Sequence, residues 1–121
     1  MEEKGYLSYG ETEIETIKKG LPAIREVLLG DNTHQKRRLL FALDWFMDSY
    51  YGQDIWLKPF REELVELLQV VILSAQEDEV ASDALDLLES YEWPPFPILE
   101  RQIDQVSERL KPFVLRLIHT E

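Results

Sequence analysis

Apolar residues recur along this chain at helical spacing and nowhere alternate with polar ones for long enough to suggest a strand. Leu39, Leu43, Phe46 and Tyr50 follow an i, i+4, i+7, i+11 pattern, which predicts a core-facing stripe on a helix over about 33–51. Leu64, Leu67, Leu68, Val71 and Ile72 do the same over about 58–75, and Val80, Ala84, Leu87 and Leu88 over about 79–91. Ile14, Ile17 and Leu21 mark a shorter helix, and Ile24, Val27 and Leu28 another from Pro22 to Gly30. From Pro97 a helix is predicted to carry Ile98, Ile103, Val106 and Leu110. Pro112 either kinks it or starts a last helix with Val114, Leu115 and Ile118. The valine-rich run at 64–73 has the length of a helix, and the glutamates at 63 and 66 favour one. The pattern predicts an all-α chain of about six or seven helices with no β-sheet.

Local punctuation supports these bounds. Thr12 and Glu15 have capping-box spacing, and the Asp-Asn-Thr run at 31–33 is good N-cap material. Gly20 and Pro22 interrupt the first helix, and Gly52 closes the third. The Trp-Pro-Pro-Phe-Pro run at 93–97 excludes a helix through it, because each proline restricts the residue before it.

Two features repeat. The phrase ALDWFMDSY at 42–50 returns as ALDLLESY at 84–91, its start displaced by 42 residues. The helix-opening prolines Pro22, Pro59 and Pro97 stand 37 and 38 residues apart. Periods near 40 with two helices per unit are the mark of stacked α-hairpins, in which neighbours bury the stripe that no unit can bury alone. The reading is a single domain over 1–121. A loose N-terminal arm at 1–10 is followed by helical-hairpin units at 11–52, 53–92 and 93–121.

The stretch LVELLQVVILSAQEDEVASDALDLLESY at 64–91 resembles a HEAT-like repeat. It has a leucine-rich first helix, an acidic turn, and a second helix with small Ala84 at a close contact. The resemblance implies a short right-handed α-α superhelix of the HEAT or armadillo type, whose second helices line a concave binding face. The pattern departs at the GDNTH turn of 30–34 and in the last unit, where Pro112 leaves a short second helix. A compact helical bundle with coincidental internal similarity is the competing architecture.

Charge adds the next constraint. There are 24 acidic and 13 basic side chains, a net of −11. Phosphate backbones are repelled by such a chain, so nucleic acid is not expected as a partner. The imbalance is local: from Arg61 to Glu92 there are ten acids and one base. An acidic surface that only maintains solubility would look the same. With no cysteine, disulfides and thiolate metal sites are excluded. The N-terminus lacks the apolar segment of a signal peptide, and apolar runs such as that at 70–73 are far too short to cross a bilayer. A cytoplasmic protein without membrane contact is expected.

Signals of chemistry are sparse. The only histidines, His34 and His119, have no ligand-spaced companion. No glycine-rich loop cradles phosphate, and the acids at 77–79 lack the EF-hand spacing. No catalytic residue, cofactor or metal is assigned, and the chain is not expected to be an enzyme.

What remains is surface. On the helix over 33–51, Arg37, Phe41, Asp44, Trp45 and Asp48 lie off the core stripe; on the helix over 79–91, Glu79, Asp83 and Asp86 do. Asp44 and Asp86 hold the same position in the two repeats, so stacked helices would form an acidic strip edged by Phe41 and Trp45. Alternatively, Phe41 and Trp45 are core and the acids are an ordinary solvated face. The profile of size, charge and fold resembles the immunity proteins of bacterial toxin systems. That resemblance implies a basic toxin domain as partner. An adaptor or structural subunit holding a peptide or helix of a larger assembly is the alternative, and a small-ligand-binding bundle the third reading.

Overall fold

The computed structural model describes residues 10–119, and the expected arm at 1–10 falls almost wholly outside them. Among the described residues there are seven α-helices joined by turns and 3-10 segments, with no strand. They are α1 (Glu11–Lys19), α2 (Leu21–Leu28), α3 (Thr33–Met47), α4 (Arg61–Ser74), α5 (Asp78–Tyr91), α6 (Pro97–Arg101) and α7 (Lys111–Ile118). The all-α class is therefore established. The chain parts into two compact units, Met1–Arg61 and Glu62–Glu121.

In the first unit the start of α1 is shifted from the expected Thr12 and Glu15 pair. Gly10 is the N-cap, and Glu13 Oε1 accepts its amide hydrogen at 2.8 Å. Ile17 is fully buried. Gly20 serves two helices at once. Its N–H donates to Ile17 O, closing α1, and its carbonyl accepts from Ile24, opening α2. Its φ of 108° and ψ of −176° belong to a region that only glycine enters without strain. Pro22 sits in the first turn of α2, where a missing N–H costs nothing, and Ile24 and Leu28 face inward. Asn32 caps α3 by accepting from the Gln35 amide at 2.9 Å.

The core of this unit is the buried side of α3: Leu39, Leu40, Leu43, Phe46 and Met47. The helix expected to reach residue 51 stops at Met47. Asp48 is extended and its Oδ1 accepts from the Tyr50 amide at 2.9 Å, so the side chain replaces the helical bond with a local turn. Tyr50, expected in the stripe, is consequently 85% exposed. Three 3-10 segments follow, Ser49–Tyr51, Gln53–Trp56 and Lys58–Phe60, the first two joined by left-handed Gly52. Pro59 lies in the last of these, just ahead of α4 rather than at its first turn.

In the second unit α4 buries Leu64, Leu67, Leu68, Val71 and Ile72, as the spacing predicts, and also Gln69. On α5, Val80, Ala84, Leu87 and Leu88 are buried, and Ala84 is fully enclosed. Phe96, inside the proline-rich turn, is fully enclosed too. The helix expected from Pro97 to Leu110 is broken. Residues 97–101 form α6, and a 3-10 segment spans Ile103–Gln105. Pro112 then starts α7, whose buried residues are Val114 and Leu117. Leu115, expected inside, is 39% exposed.

Candidate protein-binding faces

Burial fixes which side of α3 faces outward. Leu39, Leu43 and Phe46 point into the core, so residues offset from them reach the surface. Phe41 is 42% exposed and Asp44 is exposed, while Arg37 and Trp45 are half-buried. Neither aromatic is a core residue. Trp45 sets its ring edge-on to Phe46 at a centroid distance of 5.4 Å, which anchors one end of it. Asp48 is half-buried but has left the helix, so its role as a further helical surface position does not hold.

On α5 the buried residues Val80, Ala81, Ala84, Leu85, Leu87 and Leu88 leave one acidic side. Glu79 and Asp86 are exposed and Asp83 is half-buried. Acids flanking this side find cations from the C-terminal part of the same unit: Asp78 meets Arg109 at 3.7 Å and Glu89 meets Arg116 at 3.6 Å. The second unit has 14 acids against four bases, so such pairing offsets little of its charge. Arg37, Phe41, Asp44, Trp45 and Asp48 thus belong to the first unit, and Glu79, Asp83 and Asp86 to the second.

Sequence spacing did not reveal a partly buried ion pair of the first unit, Glu13 with Arg38. The guanidinium donates from Nε to Oε2 at 3.2 Å and from Nη2 to Oε1 at 3.1 Å, a two-pronged grip across 25 residues. Burial pushes the Glu13 carboxyl pKa up, but the Arg38 hydrogen bonds, the Gly10 amide and the Arg38 charge together hold it below its ordinary value. A lowered pKa stabilises the fold fully above the unfolded glutamate value. That stability is lost as the pH falls through the lower folded value. Arg38→Met is accordingly expected to cost about 1–3 kcal/mol at neutral pH, by leaving the carboxylate short of donors. The cost should shrink in acid, once Glu13 is protonated. Urea midpoints measured across that pH range decide it, and a cost that is constant with pH would contradict the assignment.

Beside this pair lies a cleft of about 80 Å³ lined by Thr12, Glu13, Thr16, Val27, Gln35 and Leu39. Among the described residues, no group of three or more histidine, aspartate or glutamate side chains is placed to hold a metal ion. His34 and His119 are both exposed. In the acidic turn, Glu77 carries a buried oxygen, Oε1, that lacks a hydrogen-bond partner. Among the described residues no helix is long and apolar enough to cross a membrane. Compared with protein-family models, curated proteins and solved structures, the chain finds no match.

Proposed function

We propose that this protein is a non-enzymatic interaction module that binds a cationic protein through the acidic side of α5. The observation that carries this reading is the outward placement of Glu79, Asp83 and Asp86 on a helix whose other side is buried, in a unit with 14 acids and four bases. Fixed like charges on a rigid helix speed capture of an oppositely charged partner and repel wrong ones. The outward Phe41 and half-buried Trp45 offer a separate apolar face on the first unit, of the kind that anchors protein contacts. The partner class that fits is a basic toxin domain, with this chain as its cytoplasmic immunity protein. A nuclease that must grip a polyanion is itself cationic, and an acidic inhibitor competes for the same surface. The hairpin repetition of Pro22, Pro59 and Pro97 supports a short HEAT-like superhelix as the scaffold.

The test is co-expression with the product of the adjacent gene. Asp83→Lys with Asp86→Lys should weaken the complex about tenfold or more and leave helicity unchanged, and wild-type affinity should fall steeply with salt. A complex indifferent to both salt and charge reversal would remove this reading. It would favour the adaptor alternative, for which the exposure of Trp93 (73%) and Phe113 (47%) already speaks.

A further inference from the structure

Among the described residues, four of the five large hydrophobics that the first unit exposes fall in one short stretch: Phe41, Tyr50, Ile55 and Trp56. Tyr50 is 85% exposed and Ile55 63%. They are held on short 3-10 segments, Ser49–Tyr51 and Gln53–Trp56, which pack on each other and on α3. Apolar side chains fixed in this way cost little entropy when they are covered. The stretch is also one-signed: residues 39–57 contain Asp44, Asp48 and Asp54 and no lysine, arginine or histidine. Its aromatic rim already receives a cation, since Lys18 Nζ lies 4.9 Å from the Trp56 ring centroid.

We propose that residues 41–56 form a second docking surface, which takes a basic segment of a partner protein in which apolar side chains are interspersed among cationic ones. This rests on the reading that the partner is cationic. It adds Tyr50, Ile55 and Trp56, which that reading does not use. The acids rule against other occupants. An anionic lipid surface needs several lysines and arginines beneath it, whereas residues 39–57 supply three acids and no base, and Lys18 at the Trp56 ring does not outweigh them. A second copy would bring a further net charge of −11.

The probe is a capped hexapeptide, Arg-Leu-Arg-Arg-Leu-Arg, compared with one in which serine replaces leucine, each titrated into the full chain and followed by amide and indole NMR shifts. The leucine peptide should move signals of residues 41–56 and bind about tenfold more tightly than the serine peptide. The double variant Tyr50→Ser with Ile55→Ser should erase that difference while keeping the helical circular dichroism, because both side chains are largely exposed. Shifts confined to α5, equal for both peptides and untouched by the double variant, would overturn the docking surface and leave the acidic-face reading standing. No shift at either place would overturn both. Concentration-dependent shifts of 41–56 without peptide would assign the surface to a second copy and overturn the proposal.

Discussion

Phe46→Ala is expected to lower stability by about 3–5 kcal/mol, the cost of losing a fully enclosed ring and leaving a cavity that its neighbours fill only in part. Phe46 is 0% exposed on α3, in the same core as Leu39 and Leu43, with Trp45 edge-on against it. A loss of this size is a large share of the roughly 5–15 kcal/mol that holds an ordinary domain together. The control is Phe41→Ala on the same helix. At 42% exposure Phe41 vacates no cavity, and its loss should cost about 1 kcal/mol or less. Chemical denaturation of the two variants reads the difference directly. Equal costs would mean that α3 is rotated from the orientation described, and the assignment of an outer face would fall with it.

The second large effect is expected at Gln69, a polar side chain only 1% exposed in the middle of the apolar side of α4. Its Oε1 accepts from the amides of Ile98 at 3.0 Å and Leu99 at 3.2 Å, the first free donors of α6. That helix cannot cap itself. Phe96, at the N-cap position, has no side-chain acceptor, and Pro97 has no N–H. The Phe96 amide turns instead to Glu100 Oε2 at 3.2 Å, and the Glu100 amide to Phe96 O. With Gln69 included, each of these first-turn donors has a partner. Gln69→Leu preserves bulk but leaves two amides without their acceptor, that of Leu99 buried and that of Ile98 partly so. The expected cost is about 2–4 kcal/mol. Gln69→Glu retains an acceptor beside a helix N-terminus and should recover part of the loss. Urea unfolding gives the cost, and hydrogen exchange at Ile98 and Leu99 locates it. A leucine variant as stable as the parent, with those amides still protected, would refute the cap.

These two residues show what the chain's pattern reveals and what it conceals. Phe46 is legible because a buried helix side repeats every three or four positions, and the same logic correctly places the stripes of α4 and α5. Gln69 sits within such a stripe, and a lone polar residue there names neither its partner nor a distance of 29 residues. The end of α3 was hidden for a related reason. Asp48 suits a surface helix by spacing, but its short side chain satisfies the Tyr50 amide locally and outcompetes another helical turn. Beyond Pro97 the apolar positions fit a long helix, yet the chain breaks after Arg101 and buries Leu99, Val106 and Leu110 from separate pieces. Of the candidate faces, the outward acids of α5 follow from periodicity alone. The exposure of Tyr50, Ile55 and Trp56 follows from the turn that Asp48 begins, which periodicity does not encode.

The double duty of Gly20 bears on where this chain tolerates changes in length. Because one residue ends α1 and begins α2, an insertion there would separate two bonds that now share one residue, the N–H on one side of its Cα and the C=O on the other. No slack exists to absorb it, and any side chain at that position meets a forbidden backbone angle. Drift in loop length among descendants of this sequence should therefore accumulate in the connections after α3 and α6, while the corner between the first two helices stays one glycine long.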